Sequence, residues 1–193
     1  MTLHCDTEVD GFQVFHDSLA GLSQALKRVE KLQLRSWNEL MQDTSEGPTP
    51  DDAMAMLELP SVLDLELHQL CCSEIRAPRL QRFEGAVDNM TVRSLRECRE
   101  LRDLTMHTQC HNQESIDEVA TELKQCNWPQ LSRFRFWSWN ALSPAFIEIV
   151  AGWRKLKSLD LTLPESTAPE LIQQALAKLP LLQTASFTEG RTN

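Results

Sequence analysis

The sequence lacks the long apolar runs that anchor or export a protein. No stretch of the 193 residues approaches the roughly 20 uninterrupted apolar residues of a membrane-spanning helix. The first residues, MTLHCD, have neither the basic nor the apolar region of a secretory signal. We therefore expect a cytoplasmic protein that does not bind a membrane.

Positive charge is also scarce in this chain. Its 19 Lys and Arg residues stand against 28 Asp and Glu residues, which gives a formal net charge of −9. Recognition of nucleic acid usually starts from a concentrated basic surface, so this background of negative charge disfavours it. We expect no nucleic acid among the partners.

The residues and motifs of common catalytic loops are few or missing. Only six glycines occur, and no phosphate-cradling glycine loop, GxSxG, HExxH or dinucleotide fingerprint is found. We therefore expect neither an enzyme nor a bound cofactor. One alternative stays open, because His107, Cys110 and His111 are close enough in sequence to bind zinc or to serve a small enzyme. The cysteines otherwise suggest packing, since a chain of this length can bury a core without disulfides.

What the sequence does contain is a short phrase that recurs along most of its length. An apolar residue is followed three and five positions later by two more, and each copy ends in the alternation that buries one face of a strand. The clear copies begin at Val29, Val62, Leu101, Leu131 and Leu156, with weaker ones at Leu80 and Leu182 and a possible opening copy at Val9.

Between the copies the apolar period lengthens towards 3.6, as expected of helices that return the chain to the next parallel strand. Ser143 and Pro144 carry the signature of one helix start. A polar inserted loop at 43–50 precedes a helix expected near 51–57, whereas 70–77 predict a tight loop or a single turn. The other amphipathic helices are predicted at 18–28, 115–126 and 167–179.

These phrases resemble the leucine-rich repeat family from Val29 to Phe187. The run Leu95-x-x-Cys98-x-x-Leu101-x-x-Leu104-x-Met106 is similar to the cysteine-containing subclass, and the helical returns look like the ribonuclease-inhibitor type. The resemblance implies an α/β fold, a leucine-rich-repeat solenoid of about seven irregular repeats. A curved parallel sheet would form its concave side and helices its convex side.

The resemblance also implies a function and an organisation. Residues 1–193 would form a single domain, with an N-terminal cap region at 1–28. The expected role is protein binding through the concave face, as the substrate-recognition part of a ubiquitin-ligase assembly or of a bacterial effector. We expect a monomer whose partner is a protein.

Alternate strand positions of such a solenoid line the open face of the sheet, and this parity selects the candidate binding residues. Arg133, Arg135 and Trp137 share one strand, and arginine with tryptophan is enriched at binding hot spots. In the alternative interpretation Trp137 packs under a neighbouring loop and the arginines pair with Asp103 and Asp160. The remaining candidates for partner binding are Asp103, His107, Asp160, Glu66 and His68.

Overall fold

The computed structural model describes residues 2–7, 28–36, 57–68, 74–108, 113–138, 142–163 and 169–189. The strands in these segments are β1 (Thr2–Thr7), β2 (Lys31–Ser36), β3 (Leu57–Glu58), β4 (Asp64–His68), β5 (Ile75–Arg76), β6 (Arg82–Ala86), β7 (Asp103–His107), β8 (Arg133–Trp137), β9 (Ser158–Leu163) and β10 (Thr184–Glu189). The helices are α1 (Asn89–Leu95), α2 (Gln113–Leu123), α3 (Pro144–Ala151) and α4 (Pro169–Leu176).

The protein is a mixed α/β fold built on an open parallel sheet of eight strands. The order β1-β2-β4-β6-β7-β8-β9-β10 places each strand beside the next one in the chain, except that β3 and β5 leave the main sheet. Parallel neighbours require a return segment, and from β6 onwards α1 to α4 provide one at every step. The α/β class and the parallel sheet predicted from the sequence are confirmed.

The strands meet in the register that the recurring phrase predicts. Because the side-chain period of a strand is two, a slip of one residue would turn every apolar side chain to the other face. The two aligned apolar rows on β2 to β10 are Leu32, Leu65, Phe83, Leu104, Phe134, Leu159 and Ala185, and Leu34, Leu67, Gly85, Met106, Phe136, Leu161 and Phe187.

Gly85 is the exception in the second apolar row, and the structure gives a steric reason for it. A Cβ atom at this position would lie 3.0 Å from the Leu67 carbonyl oxygen and 3.2 Å from the Phe83 ring. The carbonyl belongs to the neighbouring strand and cannot give way without disturbing the sheet. The weak copy of the phrase at Leu80 is therefore a true strand whose second apolar position has no room for a side chain.

The core lies between the apolar rows of the sheet and the buried sides of the helices. Around β8 it is aromatic, with the Phe136 and Phe146 ring centroids 4.7 Å apart and the Trp153 ring edge-on to Phe134 at 4.9 Å. The helix start predicted at Ser143 is confirmed, because the Ser143 hydroxyl accepts a hydrogen bond from the Phe146 amide at 3.3 Å. The predicted helices at 115–126 and 167–179 correspond to α2 and α4.

Two local predictions need correction. Leu57 is in β3 and not at the end of a helix, and Ile75 is in β5 and not in a loop, because these two buried side chains align in a separate two-stranded parallel sheet. Residues 2–7, within the predicted cap region at 1–28, form a strand paired with β2, and the cap region itself stays a prediction. Of the helix predicted at 18–28, residues 18–27 lie outside the described residues, as do the loop at 43–50 and the opening phrase at 9–14.

Candidate functional site

The open face of the sheet carries two rows of side chains at the alternate positions, opposite to the apolar rows. We use the name open face for these two rows on the strands of the main sheet from β2 onwards, together with His107 and Trp137, which face each other at the next alternate position of β7 and β8. The first row is Lys31, Asp64, Arg82, Asp103, Arg133, Ser158 and Thr184, and the second is Gln33, Glu66, Glu84, Thr105, Arg135, Asp160 and Ser186. The parity predicted from the sequence therefore brings these residues side by side.

Ion pairs fill the part of the open face on β2, β4 and β6. Lys31 Nζ lies 3.3 Å from Asp64 Oδ2 and 3.2 Å from Glu66 Oε1. Arg82 donates to the carboxylates of Asp64 at 3.2 Å, Glu66 at 2.7 Å and Glu84 at 2.7 Å. We call these five residues the ion-pair network. Its two cations and three carboxylates are bonded to one another across three strands.

Glu66 is the most enclosed member of the ion-pair network. Its side chain is 12% exposed, compared with 24% for Asp64 and 29% for Glu84. Burial by itself would raise the pKa of Glu66, but hydrogen bonds from Lys31 and Arg82 outweigh it and hold the pKa below its ordinary value. The hydrogen bond to Glu66 is also the largest cause of the raised pKa of Lys31. Glu66 thus already has two cationic partners within the chain.

The pattern of ion pairs on the open face changes on β7 and β8. Arg133 donates from Nη1 to Asp103 Oδ2 at 3.0 Å, and its side chain is 50% exposed. Arg135 is half-buried, lies opposite Thr105 and Asp160 in the register, and has no ion pair with any described residue. One of the two arginine pairs of the alternative interpretation is therefore present, and the other is not.

Trp137 ends β8 and is 48% exposed. This exposure is large for an aromatic side chain, so the described residues do not cover the ring in the way that the alternative interpretation expects. We call Arg133, Arg135 and Trp137 the arginine–tryptophan patch. On the neighbouring strand β9, the residue opposite Arg133 is Ser158, which has a short side chain.

The structure divides the predicted binding residues into two groups. Those on adjacent strands are Asp103, His107, Arg133, Arg135, Trp137 and Asp160, and His107 lies opposite Trp137. Glu66 and His68 are on β4, with β6 between them and β7, and Glu66 belongs to the ion-pair network. The first group is contiguous with the arginine–tryptophan patch and the second is not.

Sequence reasoning placed the charged residues on the open face without predicting the ion-pair network. A signal for it was present, because the first row reads Lys31, Asp64, Arg82, Asp103 and Arg133, with alternating sign from strand to strand. Opposite charges directly across neighbouring strands attract one another. The alternation becomes visible only when the phrases are aligned and read down one column.

The structure describes the surroundings of two cysteines, Cys98 and Cys126, and both side chains are buried. Burial raises the pKa of the Cys98 thiol to about 12 and that of Cys126 to about 12. Both thiols are protonated at neutral pH, so neither is an activated nucleophile. The Cys98 Sγ donates to the Ala77 carbonyl oxygen at 3.3 Å, and this contact fits the packing role predicted for the cysteines.

The zinc alternative falls largely on residues that the structure does not describe. His107 is half-buried on β7, whereas Cys110 and His111 lie outside the described residues. Among the side chains that are described, no group of three or more His, Cys, Asp and Glu residues could hold a metal ion. The site at His107, Cys110 and His111 stays a prediction.

Comparison with known proteins gives no relative from which a role could be transferred. No family model matches the sequence, and no curated protein matches it. None of the helices in the described segments is long and apolar enough to cross a membrane.

Proposed function

We propose that this protein is a leucine-rich-repeat solenoid that binds a protein partner through the open face and has no catalytic activity of its own. The order of strands along the main sheet, the aligned apolar rows and the helices packed behind them support the solenoid. In such folds each repeat contacts mainly its neighbours, and the exposed side of the sheet is a common binding surface. The open face would then be the concave side.

The observation that carries the proposal is the contrast between the two halves of the open face. On β2 to β6 the charged side chains bond to one another in the ion-pair network. On β8 the exposed Trp137 lies two positions from Arg135, which has no ion pair within the described segments. A partner can bury these two side chains without breaking an ion pair of the network.

The chemistry of the arginine–tryptophan patch indicates what the partner offers. Arg135 has a planar cation that binds a carboxylate or backbone carbonyl groups, and Trp137 presents an aromatic surface to an apolar side chain. Residues of these two types dominate binding energy at many interfaces, where truncation of one hot-spot residue costs about 2 kcal/mol or more. We therefore place the centre of the interface on β8, with Asp103, His107 and Asp160 around it.

The test is affinity capture of the partner by three forms of the full chain. The wild type is compared with the open-face variant Arg135→Glu/Trp137→Ala and with the control variant Arg99→Glu/Met90→Ala, which changes an exposed arginine and an exposed apolar residue away from this face. Loss of one specific partner with the open-face variant alone supports the proposal. Unchanged capture with that variant contradicts it.

The wider setting of the protein stays a prediction. Substrate recognition in a ubiquitin-ligase assembly or in a bacterial effector is implied only by the family resemblance. The same is true of a single domain over residues 1–193. Cytoplasmic localisation and the monomeric state are likewise proposals, and mass measurement in solution tests the second.

A further inference from the structure

A second candidate surface lies on the helical side of the protein. A groove of about 660 Å³ opens to solvent between the turn after α2 and helix α3, and no open-face residue lines it. Its apolar walls come from Leu123, Trp128, Leu131, Ile149 and Trp153. The groove is therefore separate from the arginine–tryptophan patch and independent of the function proposed for it.

Two tryptophans shape the apolar part of this groove. Trp128 is 3% exposed and donates from Nε1 to the Leu95 carbonyl oxygen at 3.0 Å, which fixes its ring. Trp153 is half-buried, with its ring centroid 5.8 Å from that of Trp128 and its plane tilted by 51°. Its indole N–H has no hydrogen-bond acceptor among the described residues. The indole N–H is therefore available to an acceptor from solvent or from a bound ligand.

The rim of the groove is basic although the chain as a whole is acidic. Lys124, Arg154 and Lys155 are all exposed, and no ion pair joins any of them to another residue in the described part of the chain. Glu148 is the one carboxylate among the residues lining the groove. Three cations with one opposing anion create a local positive surface on a protein whose formal net charge is −9.

This positive surface extends along the helical side. A neighbouring groove of about 440 Å³ shares Glu148 and Arg154 with the first and adds Lys178, which follows α4. A cation in the last turn of a helix is stabilised by the helix dipole, but this effect fades within one turn. Arg154 and Lys155 follow the C-cap residue Gly152 by two and three positions, so they lie near the negative end of α3.

We propose that this groove binds a short acidic peptide segment of a partner protein. An apolar side chain of the peptide would enter between Trp153 and Ile149, and its carboxylates would meet Lys124, Arg154 and Lys155. Charge complementarity selects an acidic ligand. The open shape selects a peptide, because small-molecule sites enclose roughly 70–90% of the surface of their ligand and this groove is open along one side.

The test is a titration of the 15N-labelled full chain with the peptide acetyl-Glu-Asp-Phe-Glu-Asp-Leu-Glu-amide, followed by NMR. The indole cross-peaks are assigned with Trp153→Phe, Trp128→Phe and Trp137→Phe. The acidic peptide is expected to shift the Trp153 signal and to leave the Trp137 signal in place. A peptide with lysine at every acidic position is expected to cause no shift.

Charge reversal on the rim tests the electrostatic part. Arg154→Glu/Lys155→Glu should weaken binding of the acidic peptide by about tenfold or more, because two attractions become repulsions. The matched variant Arg99→Glu/Arg102→Glu changes the net charge by the same amount at exposed positions that do not line the groove, and it should bind nearly as the wild type does.

Several outcomes overturn the proposal. They are the absence of any shift with the acidic peptide, equal binding of the lysine peptide, equal weakening by both double variants, and shifts confined to Trp137. A decanoate titration is the last arm. Saturation of the Trp153 signal by decanoate without a response to the peptide would assign the groove to a small amphiphile and not to a peptide.

Discussion

Arg135 and Asp160 lie directly opposite each other on β8 and β9, yet the described structure contains no ion pair between them. The preceding arginine of the same strand behaves differently, since Arg133 bonds to Asp103 on β7 at 3.0 Å. Two residues of the same type, two positions apart, thus differ in whether a described carboxylate pairs with them. Within the arginine–tryptophan patch, Arg135 is therefore the cation that a partner can engage without competing with Asp103.

The ion-pair network is expected to contribute to stability in proportion to how enclosed each carboxylate is. Glu66→Gln should lower the free energy of unfolding by about 1–3 kcal/mol, because it weakens charge-assisted hydrogen bonds from both Lys31 and Arg82. Glu84→Gln is the control, since Glu84 is more exposed and its one described cationic partner is Arg82. Urea unfolding of both variants measures the difference. A larger decrease in the free energy of unfolding for Glu84→Gln would contradict the expectation that the more enclosed carboxylate contributes more to stability.

The pH dependence of stability should reveal the salt bridges between α1 and α2. Hydrogen bonds from Arg93 lower the pKa of Glu122, which also lies 2.7 Å from Arg96. A carboxyl whose pKa is lower in the folded state stabilises the fold above its unfolded pKa, near 4.5, and loses this contribution as the pH falls through the folded value. Glu122→Gln should therefore destabilise the protein at pH 7.

The same substitution should matter less in acid, where wild-type Glu122 is itself protonated. Urea unfolding of the wild type and of Glu122→Gln between pH 7 and pH 3 checks this expectation. The gap between the two free energies should narrow below pH 4.5, the ordinary value for the group. A gap that stays constant over the whole range would mean that the charge of Glu122 does not stabilise the fold.

Buried thiols should be protected from alkylation in the native protein. Cys98 and Cys126 are buried and have raised pKa values, so iodoacetamide at neutral pH should modify them only after unfolding. Mass spectrometry of digested protein, alkylated with and without urea, follows each cysteine separately. Rapid labelling of Cys98 without urea would contradict the burial of this thiol and its contact with the Ala77 carbonyl.

Metal analysis decides the alternative centred on His107, Cys110 and His111. If the protein acts only by binding a partner, the purified chain should contain no stoichiometric zinc and should keep its melting temperature in a chelator. Zinc at one equivalent, lost in His111→Ala, would instead establish the metal site. Elemental mass spectrometry of the wild type and of this variant provides the answer.

The sequence predicted the main sheet well because its apolar phrase contains both the period of a strand and the spacing between strands. Leu32, Leu65 and Leu104 had to align for their side chains to share one core, and they do. The pair β3 and β5 was missed because each strand is two residues long, too short for any period. Helix α1 was also missed, although Asp88 at its N-cap, which accepts from the Thr91 amide at 2.7 Å, was a readable start signal.

The candidate site could be predicted only in part, from the alternation of inward and outward positions along each strand. Parity indicates that Arg133, Arg135 and Trp137 point away from the core. It does not indicate which opposite charge lies within bonding distance, because that depends on strand geometry and side-chain rotamers. It also cannot show whether a loop covers Trp137. The structure was needed to find the ring 48% exposed and to show that Arg133 and Asp103 pair.

The most direct test of the central claim is photocrosslinking between the open face and the captured partner. A photoreactive amino acid replaces Ser186, an exposed residue on β10 opposite Asp160, or in a second form Met90, which is 41% exposed on α1. The account predicts crosslinks to the partner from the Ser186 position and none from the Met90 position. Crosslinks from the Met90 position alone, or from neither, would contradict it.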